Sequence, residues 1–246
     1  MNRLINKIVV VTGGSGLIGQ SIIKQVRKEG GFAINADITH STNLSEGLVN
    51  CDVTDIISVQ TCVRSVVNEF GKIDGWVNNA YPRTNDWGDY FENIKVLSWK
   101  TNIDMQLNSV FICCQEVLKI MKDQKHGSIV NIASIYGLVG PDFSVYEGTS
   151  MTMPAAYSAI KGGVINFTRY LASYFGSFNI RVNCVSPGGI FDKQSSSFVN
   201  KYESKVPLRR MGLPEDISPT VTFLLGQDAS YITGQNILID GGWTII

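Results

Sequence analysis

The sequence predicts a doubly wound α/β fold: a seven-stranded parallel sheet with helices on both faces, in one domain spanning residues 1–246. Two observations carry this. Short runs rich in β-branched residues, apolar on both faces, alternate with longer helical patterns along most of the chain, as strands covered by helices on each side must. No charge run, low-complexity segment, internal repeat or linker divides the chain. Such alternation closes right-handed strand–helix–strand crossovers into a doubly wound sheet. A hydrophobic content of 44% against 17% charged residues suits a sizeable core.

In order, the first strand is Ile8–Thr12 (Ile-Val-Val-Val-Thr), followed by a helix over Leu17–Glu29. Phe32–Ala36 and Gly47–Cys51 are the next strands, and Ile56–Phe70 the second helix. Asp74–Asn78 is a strand before a long helix over Leu97–Lys122, and Ser128–Ala133 precedes a helix over Ala155–Phe175. Ile180–Val185, a helix over Glu215–Leu225 and Asn236–Asp240 complete the pattern. Residues 81–96, 138–153 and 190–210 fit no regular element. Each follows a strand, at the carboxyl edge where open α/β sheets bind ligands. Loops this long in a compact domain are commonly functional, so these three are the expected substrate loops.

A formal net charge of zero gives no pointer to nucleic acid or an acidic membrane as partner. No apolar run approaches the roughly 20 residues that span a bilayer. The five cysteines are scattered without Cys-x-x-Cys spacing, and only His40 and His126 accompany them, so no metal site is expected. An odd, unpatterned set of thiols reads as buried apolar side chains in a reducing compartment. The chain runs almost at once into Lys7-Ile-Val-Val-Val-Thr12, with no room for a signal peptide. The expected location is cytoplasmic.

The first strand leads into Thr12-Gly13-Gly14-Ser15-Gly16-Leu17-Ile18-Gly19 and then a helix. Gly14, Gly16 and Gly19 form G-x-G-x-x-G. After a strand and at the start of a helix, this pattern is the dinucleotide-binding turn of a Rossmann fold. Glycines let the backbone approach a pyrophosphate, and N–H groups of the helix N-terminus meet its charge. Asp37 ends the second strand, 18 residues beyond Gly19. A carboxylate there can accept both hydroxyls of an adenosine ribose and repels a 2′-phosphate. No arginine or lysine follows in Ile38–Asn43, so NAD(H) is favoured, with NADP(H) left open. Asp52, with Val53, ends the third strand, where it can face the adenine or cap a helix. Asn79 and Ala80 end the fourth, where asparagines can hold loop edges around the cofactor.

The fifth strand leads to Ser134, whose hydroxyl can donate to a substrate carbonyl. Tyr157 and Lys161 are four residues apart and share one helix face. A phenol with its ordinary pKa of about 10 is a poor proton carrier at neutral pH, and a neighbouring ammonium lowers that value. The three outline a hydride-transfer site in which the cofactor carries the difficult step.

With these motifs the chain resembles the short-chain dehydrogenase/reductase family in its classical form, over essentially all 246 residues. Further matches are Ser186-Pro187-Gly188, Pro207-Leu-Arg-Arg-Met-Gly212, Pro214-Glu-Asp216 and Ile232-Thr-Gly-Gln…Asp240-Gly-Gly242. The resemblance implies that Ser134 orients the carbonyl, Tyr157 is the acid/base, and Lys161 binds the ribose and tunes the phenol. It places Pro187, Gly188 and Ile190 against the cofactor. It also implies a small-molecule substrate and a homotetramer or homodimer packed through the helices over Leu97–Lys122 and Ala155–Phe175.

Several positions depart from the family pattern. Leu17 stands where the classical branch has its penultimate glycine, an arrangement similar to the extended branch of nucleotide-sugar epimerases and dehydratases. Tyr81 stands where glycine is usual. Gln106 takes the place of the fourth catalytic asparagine, a role carried largely by a backbone carbonyl, which Gln106 can also supply. Asp192 falls where a threonine usually meets the nicotinamide carboxamide. Ser134 and Tyr157 are 23 residues apart, wider than the family spacing. The loops around this gap carry Tyr81, Arg83, Tyr146 and Glu147, expected substrate residues that suit a polyhydroxylated ligand. Arg83, Lys193, Arg209 and Arg210 leave a phosphorylated or nucleotide-linked sugar open. The combination Asn-Asn-Ala-Tyr-Pro-Arg, Tyr-Glu-Gly-Thr and Met-Pro-Ala-Ala-Tyr-Ser is similar to oxidoreductases of bacterial flagellin and surface-glycan clusters, of the legionaminic acid type. The expected activity is hydride transfer between nicotinamide and a secondary alcohol or ketone of a sugar. Alternatives are a 3-oxoacyl thioester reductase, an epimerase or dehydratase with tightly bound NAD, and a non-catalytic nucleotide-binding protein.

Overall fold

The structure, a computed structural model, describes residues 2–246. Its seven strands are β1 (Ile8–Thr12), β2 (Phe32–Asp37), β3 (Leu48–Asn50), β4 (Gly75–Asn78), β5 (Gly127–Ile132), β6 (Ile180–Pro187) and β7 (Asn236–Ile239). All pair in parallel, in the order β3-β2-β1-β4-β5-β6-β7. The helices are α1 (Leu17–Lys28), α2 (Ile56–Phe70), α3 (Val96–Ile103), α4 (Ser109–Gln124), α5 (Ala155–Phe175), α6 (Ser196–Lys205) and α7 (Pro214–Leu225).

Strand alternation divides the core into two layers. Val9 and Val11 of β1 face Ile22 and Val26 of α1 and Ile217, Val221 and Leu224 of α7. Val10, between them, faces the opposite layer, where Val59 and Val63 of α2, Val117 and Leu118 of α4 and Leu171 of α5 cover the sheet. The chain winds outward from β1 to β3, then returns to β4 and winds the other way. The loops after β1 and β4 therefore diverge and open a crevice at the carboxyl edge. Thr12 seals its floor, with its hydroxyl donating to the Val77 carbonyl at 3.1 Å and accepting the Asn79 N–H at 3.0 Å.

Two segments differ from the sequence expectation. The helix expected over Leu97–Lys122 is split into α3 and α4 by a π turn, Asp104–Asn108. A π turn leaves a carbonyl out of the regular ladder, and here the Ser109 hydroxyl donates to the Gln106 carbonyl at 2.9 Å. Residues 190–210, expected to be irregular, contain α6. Only Phe198 and Tyr202 of that helix are buried. Two apolar positions four residues apart among serines, lysines and asparagine make too narrow a stripe to read as a helix. The other two loops hold only short 3-10 turns, Phe91–Asn93 and Phe143–Tyr146.

All five cysteines are buried and unpaired. Among the described residues no helix is long and apolar enough to cross a membrane.

Candidate active site

A cavity of about 820 Å³ opens over the crevice, bordered by the turn after β1 and by the ends of the neighbouring strands. Gly13, Gly16, Leu17 and Ile18 line it. Gly13 has φ of +61°, in the left-handed region, and a Cβ there would lie 2.7 Å from the Cα of Ala80. Gly14, Ser15 and Gly19 do not line the cavity: Gly14 backs onto the Asn35 and Ile23 side chains, and Gly19 onto the Gly13 carbonyl and Asn79. Their smallness shapes the turn that the other residues present. Helix α1 begins at Gly16 with no side-chain cap and no acidic residue in its first turn, which leaves its N-terminus suited to an anion.

Asp37 lines the cavity, and its carboxylate is already held by the chain. One oxygen accepts the Thr39 N–H at 3.1 Å and hydroxyl at 2.9 Å, and the other accepts the Ser15 N–H at 3.1 Å. Burial pushes the carboxyl up, but these bonds outweigh it and set its pKa below the ordinary value. A carboxylate offers about four acceptor directions, and Ser15 and Thr39 each contribute a backbone and a side-chain donor to this one. For Asp37 to accept the ribose hydroxyls, Thr39 or Ser15 has to yield. Ser15 is itself pinned, with its hydroxyl 2.8 Å from His40 Nε2 and 3.0 Å from the Thr39 hydroxyl, while Asn35 Nδ2 lies 2.8 Å from His40 Nε2. Asp52 and Val53 also border the cavity, and the Asp52 carboxylate accepts the Thr54 N–H and hydroxyl. Asn79 Nδ2 donates to the carbonyls of Thr12 and Gly13 at 3.0 and 2.9 Å, tying the β4 loop to the glycine turn.

Ser134, Tyr157 and Lys161 converge on the far side of the same cavity. The turn after Ser134 sits directly on α5: a Cβ on Gly137 would lie 2.7 Å from the Gly162 nitrogen. The Ser134 hydroxyl and the Tyr157 phenol both line the cavity there. Lys161 Nζ donates to the Ile132 carbonyl at 2.8 Å and lies 5.5 Å from the Tyr157 ring centre. Burial pushes the Tyr157 phenol above its ordinary value, with Ser134 pulling it partly back. Burial also lowers Lys161 to about 8. The expected lowering of the phenol by the ammonium is therefore not present in this structure, because the lysine charge is directed to a backbone carbonyl and is itself desolvated.

Tyr81 packs edge-on against Tyr157 and Trp87, each at 5.8 Å between ring centres. Arg83 stacks over the Tyr81 ring at 5.3 Å, and Lys161 Nζ lies 5.7 Å from the same ring centre. Tyr81, Arg83 and Tyr146 line the cavity and Glu147 does not. The expectation for Glu147 is corrected: its carboxylate is exposed and 3.8 Å from Lys201, because the turn ending at Tyr146 directs it outward. Tyr146 forms a wall with Phe198, Tyr202 and Met211. Tyr202 accepts the Gly189 N–H at 2.5 Å, so α6 braces the loop of Pro187, Gly188 and Ile190, all of which line the cavity.

The comparisons agree with this architecture. Residues 18–244 match the family model described as enoyl-(acyl carrier protein) reductase. Post-translational flagellin modification protein A of Campylobacter coli is 35% identical, covering 97% of this chain and 98% of its own length. A 3-oxoacyl-(acyl-carrier-protein) reductase FabG of Chlamydia muridarum is also 35% identical over the same shares. The crystal structure of a short-chain dehydrogenase from Leptospira borgpetersenii with bound NAD+ superposes with a TM-score of 0.89, at 34% identity over 98% of this chain and 94% of that one. The chain belongs to the short-chain dehydrogenase/reductase family. It is an oxidoreductase acting on CH–OH groups.

Within this dehydrogenase/reductase, Gln106 departs most from expectation. It is buried in the π turn, its side-chain oxygen and nitrogen have no hydrogen-bond partner, and it does not line the cavity. The carbonyl offered for a water accepts both the hydroxyl and the backbone N–H of Ser109 instead. Sequence reasoning missed Tyr136, Phe198, Tyr202 and Met211 as lining residues. The dehydrogenase/reductase carries them on the Ser134 turn, on α6 and just after it, and only the aromatic spacing of Phe198 and Tyr202 signalled a buried face.

Proposed function

We propose that the protein is an NAD-dependent oxidoreductase transferring a hydride between nicotinamide and a secondary alcohol or ketone of a sugar, in bacterial surface-glycan biosynthesis. The observation that carries the reading is the convergence of Ser134, Tyr157 and Lys161 opposite a glycine turn and an uncapped helix N-terminus in one cavity. The cradle fits a dinucleotide: Gly13 admits close backbone approach, the α1 N-terminus suits a pyrophosphate, and the Asp37 carboxylate lines the cavity for a ribose hydroxyl. When bound, nicotinamide supplies or accepts the hydride. Ser134 holds the carbonyl oxygen, and Tyr157 delivers a proton to it in reduction or removes one in oxidation. Lys161, held by the Ile132 carbonyl on the Tyr157 side of the cavity, would meet the ribose once the dinucleotide is bound. The name of the Campylobacter relative supports the glycan context. Burial of all five free thiols suits a reducing cytoplasm.

For cofactor choice, Asp37→Ala removes the negative charge facing the ribose. The expected result is a fall of about tenfold or more in the NAD-over-NADP ratio of kcat/KM, with NADP use rising. Unaltered discrimination against NADP refutes the role of Asp37.

A 3-oxoacyl thioester is the second reading, favoured by the wall of Tyr146, Phe198, Met151, Met153 and Met211, which suits an acyl chain. A panel of sugar phosphates, nucleotide-sugars and 3-oxoacyl thioesters, each with NAD(H) and NADP(H), decides between them. Turnover confined to the thioesters overturns the sugar reading.

We also infer assembly through α4 and α5. Phe111, Phe167, Tyr170 and Tyr174 form a continuous aromatic row with centres 6.1 to 6.3 Å apart. Tyr170 and Tyr174 are 62% and 58% exposed, more surface than a lone subunit usually shows on adjacent rings. Tyr170→Glu together with Tyr174→Glu is expected to reduce the tetramer to smaller species in light scattering. An unchanged mass contradicts the assignment.

A further inference from the structure

We propose that Arg83 binds an anionic group of the substrate, a phosphate or a carboxylate, placed one aromatic ring away from the reacting carbonyl. This rests on the sugar reading above and narrows it to acidic sugars.

Charge is sparse in the cavity. Five ionisable side chains of full charge line the cavity, Asp37, Asp52, Arg83, Lys161 and Asp192, and only two of these are cations. Lys161 is inside, committed to the Ile132 carbonyl and beside Tyr157. Arg83 is at the opening, exposed, and among the described residues has no carboxylate within ion-pair distance. Among the cations of the other substrate loops, Lys193 does not line the cavity, and four more are held by other groups. Arg210 pairs with Asp216, Lys205 with Asp142, Arg209 donates to the Ser204 carbonyl, and Lys201 to the carbonyls of Ser144 and Glu147. None of those four lines the cavity.

Arg83 is also held in place. Tyr81 and Arg83 flank Pro82, and in extended backbone residues two apart share a face. The guanidinium stacks on the Tyr81 ring, while the same ring meets Tyr157 edge-on at 5.8 Å. The cation–π contact draws the guanidinium to the Tyr81 side chain, and a guanidinium has five N–H donors, enough to leave some for a bidentate acceptor. A guanidinium with no carboxylate partner, lining a catalytic cavity, adds little to stability and suits recognition of an anion.

The test uses the full-length enzyme saturated with NADH, so that the pyrophosphate cradle is filled before any anion is added. Inorganic phosphate is titrated into the wild type, Arg83→Met and Arg83→Lys and followed by calorimetry. Wild-type binding weakened about 10- to 100-fold in Arg83→Met and partly restored in Arg83→Lys is expected. Equal binding in wild type and Arg83→Met, or no binding to either, overturns the proposal. In turnover, sugar phosphates and sugar acids are compared with their neutral parents. The expected result is a 10- to 100-fold rise in KM for acidic sugars in Arg83→Met, with kcat and the NADH dissociation constant held within about threefold. The sugar-phosphate and sugar-acid arms separate the two anions. A KM unaffected by Arg83→Met, or wild-type preference for neutral sugars, sinks the proposal while leaving the sugar reading intact. Turnover of uncharged 3-oxoacyl thioesters alone sinks the sugar reading itself, whatever phosphate binding shows.

Discussion

Tyr157→Phe is expected to lower kcat by about two to four orders of magnitude, the usual worth of a positioned general acid or base. The substitution removes one hydroxyl and keeps the ring, so the edge-on contacts with Tyr81 and Trp87 survive. The stability of α5 and the cofactor cradle are then unchanged. NADH affinity, measured by fluorescence titration, is expected to stay within about twofold of the wild type. Kinetics and binding thus separate: chemistry is lost and recognition is kept. Normal turnover by the variant removes Tyr157 from the proton-transfer role and the proposed mechanism with it.

Lys161→Met is expected to abolish turnover and, in the same molecule, to stabilise the fold. Burial lowers the lysine to about 8 in the folded chain, against 10.5 for an ordinary lysine. The unfolded chain therefore holds this proton more tightly, and at neutral pH the charged lysine disfavours the folded state. A tenfold difference in proton affinity between the folded and unfolded chains is worth about 1.4 kcal/mol, so on the order of 3 kcal/mol is at stake. The sign gives a pH signature. Between about 8 and 10.5 the folded lysine is neutral while the unfolded one is charged, so wild-type stability from this group rises with pH. Urea unfolding at pH 7 should show Lys161→Met as the more stable protein, and the difference should shrink by pH 10. A variant less stable than the wild type at pH 7 contradicts the account of a desolvated ammonium. The pairing of lost activity with gained stability marks Lys161 as retained for chemistry, a trade common at active sites.

Much of this was legible in the sequence because it rests on local patterns. Apolar runs such as Ile8–Thr12 and Ile180–Val185 declare buried parallel strands, and the glycine turn declares its own geometry. Ser134, Tyr157 and Lys161 were readable because strand ends and helix spacing place them without tertiary detail. The rest depended on contacts distant in the chain. Helix α6 was hidden because its buried face is only Phe198 and Tyr202, and its stability comes from packing on Tyr146 and Met211. The π turn at Gln106 leaves no periodic mark, since one wider turn shifts the phase only slightly. Glu147 was misplaced because the direction of a side chain after a 3-10 turn is set by the fold around it. The direction of the Lys161 ammonium, toward the Ile132 carbonyl, follows from a contact across 29 positions. The clamp on Asp37 by Ser15 and Thr39 likewise joins the ends of two strands. That clamp turns a general expectation about NAD into a specific requirement that Thr39 or Ser15 yield.

The central claim is that a positioned phenol at Tyr157 and a dinucleotide in the glycine cradle complete a redox reaction on a sugar carbonyl. The most direct test is absorbance at the nicotinamide band during turnover of ketosugars by wild type and Tyr157→Phe, with the product alcohol quantified alongside. The account predicts NADH consumed mole for mole with alcohol formed in the wild type, and neither in the variant. Sugar converted with no net loss of NADH, or equal rates in the two proteins, contradicts it.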